Sequence, residues 1–352
     1  MIYAKTDFIP FSADAQRIIA NVEQGYAAWI DTRRELEVMP VSMYWSARGE
    51  TEYLTVKAQS NDSGKSLGRR DAATEAKLTA FQDEKEAARN RLASLDTQLS
   101  ERVSLYRKLR LPALPDRQAE ILRKLDIAEL LATDFMVVGT NAFAAYELAC
   151  GARFPVGNEE TEDFDLAWCR DTQVSLARRA QAGERPSSRS GRQSSLLGIL
   201  QSIDSSYKVN RRRPYQATAA DGYEVELLAA PSTHPLPPEE GFDPMASLIE
   251  QEWLLRGRAV SVVVATVRGR ACPLYVPDPR WMALHKLWLA DKPERRPAKR
   301  GKDARQGEVL LDATHYFLEA SHPLSINFVL DLPEELRAYF DRWAQARGYI
   351  PS

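Results

Sequence analysis

The segment Asp163-Phe164-Asp165-Leu166 narrows what this chain can fold into more than any other stretch. Two carboxylates two residues apart, inside the otherwise apolar run DFDLAW, fit a β-strand whose successive side chains alternate between faces. The spacing predicts that Asp163 and Asp165 project together, while Phe164 and Leu166 enter a core. Side-by-side carboxylates repel unless positive charge sits near them. Hard oxygen donors of this kind suit Mg²⁺ or Mn²⁺, with waters and phosphates completing the shell. Alone, the same spacing also fits a strand end carrying solvated acids.

The residues before this strand extend the pattern. DFMVVGT (134–140) predicts a short buried strand ending in glycine, and NAFAAYELACG (141–151) a helix stopped by Gly151. Strand, Gly139, Thr140, then helix places backbone N–H groups at a helix N-terminus, where they bind phosphate. Thr140 and Asn141 add a hydroxyl and an amide; a plain capped turn is the simpler reading of the same residues. Downstream, GYEVELLA (222–229) alternates, so Glu224 and Glu226 share one face. Glu226 is the expected third acid, because Leu227-Leu228 follow it as Leu166 follows Asp165. Lys286 sits in DPRWMALHKLWLAD (278–291), a helix capped by Asp278 with Pro279 in its first turn. It is a candidate contact to a triphosphate, as is Lys302; a snorkelling lysine is the alternative.

Elsewhere the chain reads as follows. Residues 12–40 predict a helix, 43–56 two strands about Arg48-Gly49, and 60–70 a polar loop. Residues 71–109, without Gly or Pro, predict a long helix or helical hairpin. LPALPD (111–116) breaks it, and RQAEILRKLDIAELLAT is an amphipathic helix. Residues 180–195 and 231–244 read as a Ser/Arg/Gly loop and a Pro-rich connection. A hairpin at 259–277 and closing helices complete the chain. The expected domains are a 1–115 helical region with a short hairpin and long arm, a 116–277 core, and a 278–352 helical region.

These motifs resemble the DNA polymerase β-type nucleotidyltransferase superfamily through VVGTNAFAAYE, TEDFDLAW and GYEVELL. A closer similarity is to a bacterial family of nucleotidyltransferase-domain proteins. It runs through Tyr44-Trp45, Glu52-Tyr53-Leu54, Ser66-Leu67-Gly68-Arg69, Val138 to Ala142, Thr161 to Leu166, Val225-Glu226-Leu227, and Pro277 to Gln306. The resemblance implies an α+β fold: a polymerase-β-like core with a mixed twisted sheet flanked by helices, plus N- and C-terminal helical regions. It implies Asp163, Asp165 and Glu226 as catalytic metal ligands for Mg²⁺ or Mn²⁺. Gly139, Thr140 and Asn141, with Lys286 and Lys302, would bind the nucleotide, ATP or another NTP. The turn here is Gly-Thr where the superfamily has Gly-Ser or Gly-Gly, and the third acid is Glu where Asp is usual. A distant similarity to AbiEii-type toxins points to RNA or protein hydroxyls as acceptors.

The expected reaction is transfer of a nucleoside monophosphate from an NTP to a hydroxyl, with release of pyrophosphate. The competing reading is a catalytically weak nucleotide-binding protein that assembles through the 71–109 arm. Formal net charge is −2, so any RNA acceptor would meet local basic segments, 208–213 and 295–302, rather than a polycation. Cys150, Cys169 and Cys272 lie far apart, which supports neither a zinc site nor a disulfide framework. The four histidines share no ligand spacing. The N-terminus lacks a signal-peptide pattern and no apolar run reaches membrane-spanning length, so a soluble cytoplasmic protein is expected.

Overall fold

The computed structural model describes residues 1–60, 62–156, 163–169, 195–232 and 249–351, with Asp163 described by its backbone alone. Most of the expected 180–195 loop and 231–244 connection lies outside the described residues. The fold is mixed α+β, as expected. It divides into two compact units: Gln24–Arg102, and Met1–Glu23 together with Val103–Ser352.

In the Gln24–Arg102 unit the predicted hairpin forms between β2 (Ser42–Arg48) and β3 (Thr51–Lys57), reversing at Gly49 with φ +63°. Residues 60–70, expected as a loop, contain a third antiparallel strand, β4 (Lys65–Arg69). KSLGR has no alternation of apolar residues because it is an exposed edge, held by backbone pairing rather than burial. The 71–109 run is one helix, Ala72–Lys108. Arg91 fastens it to the Ala13–Val38 helix through the Glu35 carboxylate and the Thr32 hydroxyl, the latter at 3.3 Å.

The larger unit is built on a five-stranded mixed sheet. Its order is β6 (Phe135–Val137), β8 (Asp163–Trp168), β11 (Glu224–Leu228), β10 (Arg213–Thr218) and β9 (Lys208–Asn210). Strands β8 and β11 run parallel; the other neighbours are antiparallel. The 208–213 segment, expected only as a basic stretch, supplies β9 and the start of β10. A second sheet sets the hairpin β12 (Val260–Thr266) and β13 (Ala271–Val276) beside β5 (Ala113–Leu114), inside the stretch that the sequence marks as a helix breaker, and a short antiparallel pair joins β1 (Ile9–Pro10) to β7 (Ala152–Arg153). The helix expected from Arg117 to Thr133 spans Asp116–Ile127 only. Beyond it, Glu129 and Ala132 take left-handed backbone, which a helix does not admit.

Two helices close over this unit. Pro279–Ala290 is capped as predicted: the Asp278 carboxylate accepts from the Arg280 N–H at 2.9 Å. Pro297–Phe317 begins inside the basic stretch and crosses the Pro279–Ala290 helix at Gly307. A Cβ at Gly307 would stand 2.6 Å from Leu287 Cγ and 2.8 Å from the Ala283 carbonyl oxygen. Glycine is normally the costlier residue in a helix, by about 1 kcal/mol relative to alanine. Here the backbone of the crossing helix fills the space a methyl group needs. Gly307→Ala is therefore expected to destabilise the protein despite its better helix propensity, by about 1–3 kcal/mol of overpacking less that gain. A lowered unfolding midpoint in urea checks this; a raised midpoint would show that the crossing relaxes freely.

Candidate active site

The site is assembled where β8, β11 and the turn after β6 meet. Phe164 and Leu166 are fully buried, and Val225 and Leu227 on the neighbouring strand match them. That anchoring leaves Asp165, Glu224 and Glu226 to the opposite face. In the parallel register Asp165 stands beside Glu226, and Asp163 beside Glu224. Adjacent strands lie roughly 4.8 Å apart, so two such carboxylates can share one cation.

Gly139 starts a single turn of 3₁₀ helix, Gly139–Ala142, that leads into the α-helix Phe143–Cys150. The expected 141–151 helix is thus preceded by a tighter turn, and Gly151 ends it in the left-handed conformation as predicted. Gly139 has φ +74°. A Cβ there would collide with Asp165 Oδ2 and stand 3.4 Å from its Cγ. The Val138 N–H also donates to the Asp165 carbonyl at 3.1 Å. The Asp165 carboxylate therefore rests directly on the turn that the sequence marks for phosphate. Thr140 and Asn141 are half-buried in the same turn.

The expected residues omit a polar clamp. Gln216 on β10 is fully buried and lies opposite Glu226. Its side-chain amide donates to Glu224 Oε2 at 2.6 Å and to Glu226 Oε1 at 3.1 Å. Its carbonyl oxygen accepts from Asn210 Nδ2 at 2.8 Å. Asn210 thus sets which way the Gln216 amide faces, and both its N–H groups go to carboxylates. The Asp221-Gly222 pair after Tyr215-Gln216-Ala217-Thr218 is a hairpin signal that could have placed this strand beside β11.

Lys286 is only 4% exposed. Its ammonium donates to Asp303 Oδ1 at 2.8 Å, and Arg295 reaches Asp303 Oδ2 at 2.7 Å. One buried carboxylate thus carries two cations and the group is net positive. Burial lowers the Lys286 pKa; Asp303 opposes this, and Asp165 is close enough to add to that opposition. Lys302 is half-buried on the same helix, one residue before Asp303. In the other basic segment, Lys208, Arg211, Arg212 and Arg213 differ from Arg295: Lys208 and Arg211 to Arg213 are exposed along the β9–β10 turn.

Among the described residues, no three His, Cys, Asp or Glu side chains gather as a ligand set. The described pair is Asp165 with Glu226, and Asp163 enters by backbone position. All are hard oxygen donors, and the Asp165 carboxylate faces a turn without a side chain at Gly139. The donor chemistry therefore fits Mg²⁺ or Mn²⁺.

His285 adjoins Lys286, is 5% exposed, and among the described residues neither ring nitrogen has a hydrogen-bond partner. It packs against Trp288 and Trp253. Burial, reinforced by Lys286, pushes its pKa from the ordinary 6.5 down to about 3. Below about pH 6.5 the unfolded chain binds a proton that the folded one refuses. Stability attributable to this residue is therefore lost as pH falls toward about 3, with a slope of up to about 1.4 kcal/mol per pH unit. Urea midpoints across mildly acidic pH should fall less steeply in His285→Phe than in the parent; equal slopes would discount the effect. At the turn, Gly139→Ala is expected to displace the Asp165 carboxylate and weaken Mn²⁺ binding by about tenfold or more, comparable to removing a ligand's supporting group. Calorimetric titration with Mn²⁺ checks this, and unchanged affinity would show that the turn does not seat the acid.

A family model described as Nucleotidyltransferase matches residues 116–325, which include every site residue named above. No curated protein matches the chain in sequence. Among solved structures, an antigenic nucleotidyltransferase-like protein from Paracoccidioides brasiliensis is 18% identical, with 67% of this chain and 91% of that one covered and a TM-score of 0.32. With the family match spanning more than half of its length, this chain belongs to the nucleotidyltransferase family.

Proposed function

We propose that the protein transfers a nucleoside monophosphate from an NTP to a hydroxyl acceptor. One observation carries the reading: the Asp165 carboxylate rests on the Gly139 turn while Glu226 stands beside it in register. An acid site and a phosphate-binding turn are thereby the same place. Asp163, Asp165 and Glu226 would hold Mg²⁺ or Mn²⁺, which when bound supplies charge neutralisation for the phosphates and for the attacking oxygen.

The chain's own groups divide the remaining work. Backbone N–H groups of the Gly139–Thr140–Asn141 turn bind the anionic oxygens of the triphosphate. Lys286, held by Asp303, contributes positive potential rather than a free ammonium, and Lys302 is the more accessible lysine of the two. Glu226 accepts the acceptor's proton. The acceptor oxygen bonds to the α-phosphorus as the bond to the bridging oxygen breaks, and pyrophosphate leaves with the electron pair. Positioning and electrostatics supply most of the rate. The exposed cations Lys208 and Arg211 to Arg213 lie on the hairpin that carries Gln216, and they suit an acceptor with a phosphate backbone, such as RNA.

The test is incubation with each α-labelled NTP, Mg²⁺ or Mn²⁺, and total RNA or protein, followed by identification of what carries label. Asp165→Asn and Glu226→Gln are expected to lose labelling by at least about a hundredfold while retaining the parent melting temperature. Full labelling by Asp165→Asn would sink the mechanism. Nucleotide binding without pyrophosphate release would instead favour a catalytically weak interaction protein.

A further inference from the structure

The sheet of the Gln24–Arg102 unit has two unlike faces. Met43, Trp45, Leu54 and Val56 alternate onto one, where Leu54 is fully buried. Tyr44, Ser46 and Arg48 from β2, Tyr53, Thr55 and Lys57 from β3, and Arg69 from β4 alternate onto the other. The register pairs Tyr44 with Thr55, Ser46 with Tyr53, and Tyr53 with Arg69. Side-chain distances agree. The Ser46 and Thr55 hydroxyls lie 2.6 Å apart, Lys57 Nζ sits 5.9 Å from the Tyr44 ring centre, and the Arg48 guanidinium 5.7 Å from that of Tyr53.

The charge distribution sets this face apart. Among the described residues, Arg48, Lys57 and Arg69 form no ion pair with a carboxylate. By contrast Arg70, turned to the opposite face, is held by Glu52 at 2.7 Å and Glu75 at 2.8 Å. The strand positions on the cationic face carry no Asp or Glu. In a chain of net charge −2, three unpaired cations on one small face are a local concentration that an anion relieves. Two tyrosine rings lie among them on neighbouring strands, diagonal positions roughly 7–8 Å apart, and Tyr44 is 38% exposed. A Cβ on Gly64 would stand 2.6 Å from Thr55 Cγ2 and 3.5 Å from both Lys57 Cγ and Tyr44 Oη, so this segment covers the buried Thr55 and borders Tyr44, while Arg48 and Arg69 at the other end of the face are exposed and Tyr53 is half-buried.

Rings alternating with unpaired cations match a ligand that is polyanionic and also offers flat apolar faces. A duplex offers the charge but keeps its bases stacked inside; a single strand offers both. We infer that this face of the β2–β3–β4 sheet binds single-stranded nucleic acid. Tyr44 and Tyr53 stack on successive bases, and Arg48, Lys57 and Arg69 take the phosphates. The inference goes beyond nucleotidyl transfer and does not require it.

The test is fluorescence anisotropy of a labelled oligouridylate titrated with the full chain at several salt concentrations. Affinity is expected to fall with salt, and Arg48→Ala with Arg69→Ala to flatten that dependence by about 0.7 in log–log slope for each phosphate no longer neutralised. Tyr44→Ala with Tyr53→Ala is expected to weaken binding by about tenfold or more at unchanged slope, and Tyr44→Phe with Tyr53→Phe to keep it. Should the alanine pair unfold early, Tyr44→Leu with Tyr53→Leu, which keeps apolar volume without a ring, decides. No binding at low salt, equal binding by a blunt duplex, full competition by polyglutamate, or parent-like binding by the ring-less pair would each overturn the inference.

Discussion

A parallel strand pair buried on one face must present on the other whatever alternates with its core residues. In β8 and β11 those core residues are Phe164 with Leu166 and Val225 with Leu227, all fully buried. The residues between them are acids. Because the strands pair in register, Asp165 meets Glu226 and Asp163 meets Glu224. Hydrophobic burial of four side chains thus determines which face Asp165, Glu224 and Glu226 take, and the polar neighbours answer that arrangement. Gln216 gives one N–H to each glutamate, and Asn210 keeps its amide from turning its oxygen toward them.

The compensation extends to the helices behind. Burying Lys286 with Asp303 carries a desolvation cost on the order of several kcal/mol per ion, which their mutual attraction and the half-buried Arg295 must offset. Two cations on one carboxylate leave a net positive group whose lysine senses Asp165. The close crossing at Gly307 lets the two helices that carry Lys286 and Asp303 approach, with Arg295 in the connection between them. Asp303 and Gly307 lie one turn apart, so the packing constraint and the charge constraint fall on adjacent turns of one helix.

Much of this was legible wherever one face is apolar and the other is not. The β8 strand, its buried Phe164 and Leu166, the Gly151 stop and the Asp278 cap follow from alternation and end signals. The strands β4, β5, β9 and β10 were not legible, for one physical reason: Lys65–Arg69, Ala113–Leu114 and Lys208–Thr218 are short or polar, and backbone pairing with a stronger neighbour holds them. Gln216 was hidden for the same reason. Its importance comes from standing across a strand gap from Glu226, a relation that no linear spacing encodes. Lys286 is legible as a candidate, but its partner Asp303 becomes visible only when the two helices cross.

The contact between Gly139 and Asp165 has a consequence for how this chain can diverge. A side chain at 139 would occupy the space of the Asp165 carboxylate, so the two positions are not free to change separately. A lineage that keeps the acid must keep the bare backbone. One that loses the acid can accept a small residue tolerant of left-handed backbone at 139, such as Asn. Among descendants of this fold, the residue at 139 is therefore a record of whether a carboxylate is still present at 165.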